Sequence, residues 1–398
     1  MRWRFWEINN QKYEICRILP VRHQGGLMKR VLFVFDRVAH YHRELFKMLE
    51  KELGENGIEL HLLSGQTSDN AVGRIGVKES VIAYESKYGF KEYRIGTYVF
   101  RKQTGVLEKI DEIKPGIVVN MCHVGNATHW KTVSLKKQLG FKLVAWQCGY
   151  EYHPGKLKGF LLDRFIPHYD YHLAYHSNAR DYALSHRARA DQITVMHNTI
   201  NEEKIATLPK AEARALVVGK HPEIGGRKII LFVGAVLAEK RIEVILQALD
   251  IMQRKDAVLV LVGDGEHLPV IRQLCAERDD VVITGSIVEG VGPYFDAAEM
   301  YVLPGTGGLG INEAMAHRLP IVSGFADGSA DDLVIDGENG FRLRKNTPEE
   351  LAEKMVTILD DSEMAQSMGE RSREMITGKF AFREFINRIV TELTRLAQ

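Results

Sequence analysis

The chain of 398 residues lacks several features that mark common protein classes. No stretch approaches the run of about eighteen apolar residues that a membrane-spanning helix needs. Its four cysteines, Cys16, Cys122, Cys148 and Cys275, lie far apart without a C-x-x-C pair, which fits neither a disulfide framework nor a zinc knuckle. We therefore expect a protein of the reducing cytoplasm, with peripheral attachment to the inner face of the membrane as the alternative.

Neither sign of charge is in excess overall, but the charges are unevenly distributed. The first 200 residues carry 30 Lys and Arg against 20 Asp and Glu, whereas the remaining 198 carry 23 against 32. Such opposition indicates different partners for the two halves. The basic half would suit anionic lipid or a phosphorylated acceptor, and surface charge kept for solubility is the open alternative. We expect no nucleic-acid partner.

Residues 1–27 form a basic extension that begins with Trp3, Phe5 and Trp6. It lacks the apolar run of a signal peptide. Three interpretations stay open: an interfacial membrane anchor, a packed flap, or an overlong gene start. Met28 opens a segment that looks like an ordinary domain start.

From Val31 onward, short apolar runs alternate with segments of helical spacing. The runs VLFVF and IELHLLSG enclose HYHRELFKMLEKEL, which predicts strand, helix, strand. Further strands are predicted at 116–121, 141–147, 171–177 and 193–198. This alternation is typical of a parallel sheet covered on both faces by helices.

The α/β pattern restarts after residues 200–225. The strand KIILFVGAV, the helix RIEVILQALDIMQR and the strand AVLVLVGDG open a second unit, which continues through VVITGS and MYVLPG. From about Pro348 to Gln398 the spacing is helical. We therefore predict two α/β units with a boundary near residues 200–225.

The stretch PGTGGLGINEAMAHRLPIV, residues 304–322, places four glycines within six residues between a buried strand and a good helix former. Such a turn exposes N–H groups at the positive end of a helix, where proteins hold phosphate anions. Gly307, Gly308 and Gly310 would let the backbone approach a diphosphate without a Cβ collision. We expect Glu313 in the first helical turn, where it could accept hydrogen bonds from vicinal hydroxyls. A tight turn with a capping glutamate is the alternative.

Other blocks accompany the glycine stretch in order: FVGAVLAEKRIEVILQAL, LVGDGEHLPVIRQL, VVITGSIVEGVGPYFDAAEMYVLPG and DGENGFRL. From Lys228 to about Gly340 the chain resembles the donor-binding domain of the retaining glycosyltransferases of family 4, which have the GT-B architecture. The resemblance in the first half covers scattered blocks, PGIVVNMCHVGN, WQCGYEYHPGKLKG and YHSNARDYALSHRARADQITVMHNTI.

The resemblance implies two Rossmann-like parallel-sheet domains facing across a cleft. Residues 28–205 would bind the acceptor and 206–375 the nucleotide sugar, while a helix within 376–398 would return to the first domain. Lys240, Glu313 and His123 are implied as catalytic residues. The implied donor-binding residues are Gly234, Gly263, Ser286, Ile287, Gly307, Gly308, Leu309, Gly310 and Asn198.

The chain departs from the family pattern at three positions. The family usually carries two glutamates in the pattern E-x7-E, and alignment on Glu313 puts Gly305 where the first one contacts the donor sugar. A usual arginine falls on Ala235. Met121 takes the place of a strand-end histidine, and His123, two residues on, would still face the cleft if the strand extends that far.

Three weaker patterns leave other ligands open. His168, His172 and His176 lie four residues apart and would form a metal face on a helix, but the resemblance makes the last part a strand. The aspartates of SADDLV, residues 329–334, could hold Mg²⁺ or cap a helix. The segment VGDGEHL lacks the third glycine of a dinucleotide fingerprint, which argues against a nicotinamide dehydrogenase.

The acceptor side has one candidate segment, HYHRE. His40, His42 or Arg43 could lie in the cleft there, and an ordinary helix start on the surface is the equal alternative.

The sequence thus predicts a retaining glycosyltransferase that moves a sugar from a nucleotide-diphosphate sugar to a glycan or lipid-linked acceptor. We expect no cofactor and no essential metal, because one lysine and the loop amides would stabilise the departing diphosphate. Two alternatives remain: a sugar-nucleotide 2-epimerase of the same architecture, and a non-catalytic module that binds nucleotide sugars.

Overall fold

The computed structural model describes residues 29–36, 38–39, 42–65, 80–95, 98–149, 155–287 and 289–398. Within these ranges the chain forms two sheets, each covered by helices, with its own buried core. The predicted α/β fold class with two Rossmann-like units is therefore confirmed. The extension at 1–27 and His40 lie outside the described residues.

The first unit contains eight described strands in the order β4-β3-β2-β1-β5-β6-β7-β8. All neighbouring pairs are parallel except β3 and β4, which form an antiparallel pair that the sequence did not predict. The strands are β1 (Lys29–Phe35), β2 (Ile58–Gly65), β3 (Glu85–Ile95), β4 (Tyr98–Thr104), β5 (Ile117–Asn120), β6 (Lys142–Gln147), β7 (Tyr171–Ala174) and β8 (Ile193–Val195).

Central strands of this sheet are buried on both faces, which explains their almost unbroken apolar sequences. Five helices connect the strands: α1 (His42–Glu55), α2 (Val106–Ile113), α3 (Ala127–Leu139), α4 (Lys156–Phe165) and α5 (Ser177–Ser185). Helix α1 packs on one face of the sheet, whereas α2, α3 and α4 contribute to the core on the other.

The second unit has six strands in the order β11-β10-β9-β12-β13-β14, all parallel. They are β9 (Lys228–Val233), β10 (Ala257–Val262), β11 (Val281–Gly285), β12 (Met300–Leu303), β13 (Ile321–Ser323) and β14 (Gly340–Arg342). Its helices are α6 (Lys210–Lys220), α7 (Ile242–Met252), α8 (Leu268–Leu274), α9 (Gly292–Asp296), α10 (Leu309–Ala316), α11 (Ala330–Leu333), α12 (Pro348–Asp360) and α13 (Ser362–Thr377).

The last helix, α14 (Phe382–Ala397), packs against the first unit and not the second. Its apolar face, which includes Phe385 and Ile389, joins the core beneath β1 and β6. Its first amide, at Phe382, donates to the buried carboxylate of Glu202 at 2.9 Å. The chain therefore crosses between the two units twice. No helix in the described ranges has the length and apolar character needed to cross a membrane.

Candidate functional site

The carboxyl edges of the two sheets face each other. Ser177, which follows β7, donates its amide to Asp332 of α11 at 2.8 Å, and Nδ1 of His197 lies 3.2 Å from the same carboxylate. These bonds lower the pKa of Asp332 to about 2, although burial alone would raise it. The contacts hold the rims of the two sheets together, and the strand ends therefore line a common cleft.

Each sheet has one point where the strand order reverses, and ligands of parallel α/β sheets bind at such points. In the second sheet β9 and β12 flank the reversal. Lys240 follows β9 and the glycine loop, defined here as residues 304–308, follows β12. Lys240 and Thr306 of the glycine loop lie 66 residues apart in the chain but are in contact. Nζ of Lys240 donates to the carbonyl oxygen of Thr306 at 2.5 Å.

The glycines are required because the backbone segments nearly touch. A Cβ on Gly305 would lie 2.2 Å from the carbonyl oxygen of Glu239, and one on Gly310 would lie 2.4 Å from the hydroxyl of Tyr301. Gly307 has φ +153° and its Cβ position is 2.8 Å from Nζ of Lys240. Because the atoms nearest to the Cβ position of Gly305 belong to the backbone of Glu239 and Lys240, no side chain fits at this position.

Four backbone amides at the start of α10, those of Gly307, Gly308, Leu309 and Gly310, have no acceptor among the described residues. The first amides of a helix have no partner within the helix, and the helix dipole makes this end positive. Together with the ammonium group of Lys240 they form a compact positive cavity at the strand reversal. Such a cavity can hold a diphosphate.

Glu313 lies in the second turn of α10, because the helix begins at Leu309; the prediction of the first turn was wrong. Its carboxyl group is largely buried and accepts no hydrogen bond from another described residue. Burial raises the pKa of Glu313, while His317 acts in the opposite direction. A buried carboxyl without a donor costs free energy, which hydroxyl donors of a bound ligand would recover.

The other predicted donor residues of the second unit follow the same sheet edge. Gly234 and Gly263 end β9 and β10, and a Cβ on Gly263 would lie 1.8 Å from the carbonyl oxygen of Gly234. Ser286 and Ile287 follow β11. Three strand spacings of about 4.8 Å separate β11 from β12, so the ends of these strands extend over about 14 Å.

Asn198 comes to the second unit from the first. Its carbonyl oxygen accepts a hydrogen bond from Nδ2 of Asn312 at 3.5 Å, and the same Nδ2 lies 3.3 Å from the hydroxyl of Thr199. Asn312 precedes Glu313 on α10. The structure therefore places Asn198 against the helix that begins at the positive cavity.

The first sheet reverses its strand order between β1 and β5. Asp36 follows β1 and His123 follows β5, and their Oδ2 and Nδ1 atoms lie 3.9 Å apart. Strand β5 ends at Asn120, so His123 is on a loop and the condition that the strand extends as far as His123 is not met. Cys122, with φ +52°, turns the chain between the end of β5 and His123.

Asp36 was not singled out from the sequence, and its contacts are all long-range. Its Oδ1 accepts hydrogen bonds from Tyr88 at 2.9 Å and Gln103 at 2.8 Å. Burial would raise the pKa of Asp36, but the neighbouring His123 and His129 and these two hydrogen bonds lower it overall. The group is thus an ionised carboxylate at neutral pH. The position directly after a buried strand was the one signal available in the sequence.

His129 stabilises the loop that carries His123. Its Nδ1 accepts the amide of His123 at 3.0 Å, which fixes the backbone of the candidate residue. Burial lowers the pKa of His129 to about 3, so this imidazole is neutral at physiological pH. It therefore acts as a neutral structural support for the loop that carries His123.

The predicted acceptor residues His42 and Arg43 open helix α1, directly after β1. Nδ1 of His42 accepts the amide of Ala39 at 3.2 Å, and its ring packs edge-on against Phe35. His42 thus has a structural role at the helix start, on the same sheet edge as Asp36. His42 and Arg43 are both half-buried.

The three regularly spaced histidines do not share a helix face. His168 is in a short helical turn, His172 is buried in β7, and His176 precedes α5 and accepts the amide of Ala179 through Nδ1. Within the described residues no group of three or more His, Cys, Asp or Glu side chains has a metal-binding arrangement. Ser329 precedes the short helix α11, but its side chain accepts no capping hydrogen bond.

Asp327 is the second acidic residue that the sequence did not single out. Its Oδ1 accepts the amide of Ser329 at 3.0 Å, while Oδ2 lies 2.7 Å from the Cβ position of Gly308 and accepts no hydrogen bond from a described residue. The charge also acts across the cleft on His176 and Cys148 of the first unit. A carboxylate therefore borders the glycine loop on the side that faces the first sheet.

Comparison with known proteins agrees with this geometry. Residues 227–361, which contain Lys240 and the glycine loop, match the family of "Glycosyl transferases group 1". The matched range lies wholly within the second unit. This confirms the resemblance to family 4 that the sequence blocks indicate, and it applies to the part of the chain that carries the positive cavity.

Among curated relatives, the alpha-D-kanosaminyltransferase of Streptomyces kanamyceticus is 30% identical over 179 residues, 43% of this chain and 46% of the relative. The N-acetyl-alpha-D-glucosaminyl L-malate synthase of Bacillus anthracis is 27% identical over 171 residues, 41% of this chain and 44% of the relative. The chain spans about half the length of the curated relatives that it matches.

The fold of the whole chain has a solved counterpart in Anabaena HepE, whose structure in complex with UDP has a TM-score of 0.72 at 14% identity. The comparison covers 92% of this chain and 100% of HepE. HepE has also been solved in complex with UDP-glucose. At this identity the likeness shows the fold alone, and it confirms the GT-B architecture of this chain.

Proposed function

We propose that the chain is a retaining glycosyltransferase that transfers a sugar from a nucleotide-diphosphate sugar to an acceptor hydroxyl. The observation that carries this proposal is the set of four amides without acceptors at the start of α10, joined by Lys240 at the strand reversal. The family of the second unit supports it. Because HepE is known with UDP and UDP-glucose, uridine nucleotides are the first donors to test.

In the proposed reaction the acceptor oxygen attacks the anomeric carbon from the face of the leaving group, and the bond from that carbon to the diphosphate oxygen breaks. Lys240 and the amides of Gly307–Gly310 stabilise the negative charge that develops on the departing diphosphate. The acceptor proton passes to the leaving phosphate oxygen, so the reaction needs no separate carboxylate base. Glu313 accepts hydrogen bonds from the ribose hydroxyls, since its buried carboxyl has no other donor.

Sugar recognition falls to Asp327 in this proposal, because Gly305 offers no side chain. Oδ2 of Asp327 borders Gly308 and faces the first sheet, where the sugar of a donor bound at the positive cavity would lie. A carboxylate repels a diphosphate but accepts hydrogen bonds from sugar hydroxyls. In this proposal His123, whose Nδ1 lies 3.9 Å from Oδ2 of Asp36, completes the sugar site from the first sheet.

We further propose that residues 28–205 with the returning helix in 376–398 bind the acceptor, and that 206–375 bind the donor. The basic first half favours an anionic or lipid-linked glycan acceptor, presented at the inner face of the membrane. His42 and Arg43, at the start of α1, are the candidate acceptor contacts. We expect transfer to persist in the presence of a metal chelator, because Lys240 and the amides offset the diphosphate charge.

A thermal-shift panel of UDP, GDP and ADP sugars tests the donor site directly. A ligand at 100 times its Kd stabilises the folded state by about 2.7 kcal/mol, which raises the melting temperature of a unit of this size by about 5–10 °C. The same sugar nucleotides are then incubated with and without acceptor. Product from the donor alone with an inverted C2 indicates the epimerase, binding without turnover indicates the non-catalytic module, and no shift with any sugar nucleotide contradicts the proposal.

A further inference from the structure

Helix α4 exposes more large apolar side chains than any other described helix. Leu157 is 69% exposed, Phe160 51% and Leu161 38%. Their spacing of i, i+3 and i+4 places them on one face of the helix. Three adjoining large apolar side chains on a helix surface indicate an interaction site, whereas single exposed ones need no explanation.

The adjoining side of α4 fixes the helix to the sheet. Leu162 and Phe165 are buried in the core, and the ring of Phe165 packs 4.5 Å from the ring of Trp130 on α3. The exposed face is therefore held rigidly outward, with α3 as its neighbour. The exposed side chains of Leu157, Phe160 and Leu161 are therefore accessible to a partner outside the first unit.

The surroundings of this apolar face are strongly basic. Helices α3 and α4 together carry six basic residues, Lys131, Lys136, Lys137, Lys156, Lys158 and Arg164, of which Lys136 is paired with Asp170 at 2.7 Å. The one acidic residue in the two helices, Asp163, lies 2.7 Å from Nδ1 of His186. The guanidinium of Arg164 lies over the ring of Phe160 at 4.2 Å, so cationic and apolar groups form one continuous surface.

We infer that the exposed face of α4, with its basic rim, docks on the surface of an anionic lipid bilayer. Leu157, Phe160 and Leu161 would enter the boundary between headgroups and acyl chains, while the basic residues would contact the phosphates. A second copy of this chain is a poor occupant, because a two-fold contact would bring the same cations face to face.

The position of α4 connects this surface to the proposed reaction. The helix follows the carboxyl end of β6, the sheet edge that also carries Asp36 and His123. A bilayer on this face lies beside the opening of the cleft, where a lipid-linked acceptor would present its hydroxyl. The inference rests on the proposed function for its purpose, but its test does not require activity.

The test is flotation of the full chain with vesicles of phosphatidylcholine alone or mixed with phosphatidylglycerol. We expect binding to the mixed vesicles that weakens with salt. The triple variant Leu157→Ser, Phe160→Ser, Leu161→Ser should lower the partition coefficient about tenfold or more, since apolar area no longer enters the interface. The matched control is Leu216→Ser, Leu274→Ser, at positions 47% and 51% exposed on the second unit, which should bind like the wild type.

Several results would overturn the inference. The inference is overturned if the wild-type protein does not bind anionic vesicles. It is also overturned if the triple variant still binds them, which would assign binding to another part of the chain such as residues 1–27. A wild-type dimer that the triple variant abolishes would assign the face to self-association. If the triple variant does not fold, Leu157→Glu alone is used, at the most exposed position. A chain that binds vesicles but no sugar nucleotide would leave this inference standing and contradict the proposed function.

Discussion

Replacing Gly305 by alanine adds one carbon where the glycine loop meets the segment that carries Lys240. The new Cβ would lie 2.2 Å from the carbonyl oxygen of Glu239, 2.3 Å from the carbonyl carbon of Lys240 and 2.4 Å from its oxygen. All three are backbone atoms, so no side-chain rotation relieves the overlap. The two segments must separate by about 1 Å to restore ordinary contact, which begins near 3.4 Å.

This separation should affect both stability and turnover. Overpacking costs about 1–3 kcal/mol, which lowers the melting temperature by about 2–12 °C for a unit of this size. A displacement of about 1 Å between catalytic groups costs about 100-fold in rate. Because the displaced groups are Lys240 and the amides at Gly307–Gly310, we expect the loss in kcat and not only in KM.

The assay combines thermal melting with steady-state transfer from the best donor of the panel. Gly219→Ala is the matched control, because Gly219 lies in helix α6 with open space around its Cβ position. Alanine there should leave activity unchanged and stabilise the helix by about 0.5–1 kcal/mol. If Gly305→Ala melts and transfers like the wild type, the close packing of the loop on the Lys240 segment is refuted.

Three further variants test the cavity. Lys240→Ala should lower kcat by about 100- to 1000-fold without changing the melting temperature, and turnover within threefold of the wild type would remove the lysine from the mechanism. Glu313→Gln should weaken the nucleotide-induced thermal shift. It should also stabilise the ligand-free protein at pH 8, because the pKa of Glu313 is raised and ionising this buried carboxyl at high pH therefore costs stability. A less stable variant at pH 8 would contradict this. Asp327→Asn should raise KM for the sugar nucleotide at least tenfold while Kd for the free nucleoside diphosphate falls or stays constant, because a repelling charge is removed. Asp331→Asn is the control, and equal losses for both ligands would argue against sugar recognition.

Gly305 and Asp327 together determine which side chains border the glycine loop. The loop backbone approaches the Lys240 segment so closely at Gly305 that no side chain fits there. A carboxylate still borders the loop, and it comes from the turn after β13 and not from β12.

Much of the fold followed from local patterns in the sequence. Apolar runs and helical spacing predicted the central strands and the helices α1, α7, α12 and α14, because each pattern reports burial of its own segment. The ends of elements were less accurate: β5 stops at Asn120, and α10 begins early enough to put Glu313 in its second turn. The antiparallel pair of β3 and β4 was missed, since its strands carry many charged residues.

The sequence by itself determined the two α/β units and the glycine turn before a helix, because glycine content and periodicity act within a few residues of the chain; Lys240 was indicated only by the resemblance to a known family. Only the tertiary structure decided that Asp36 stands behind His123, that Asp327 borders Gly308, and that the apolar side chains of α4 remain uncovered. Those contacts depend on which strands are neighbours in each sheet and on how the two sheet edges face each other. Neither is encoded in the spacing of residues along one segment.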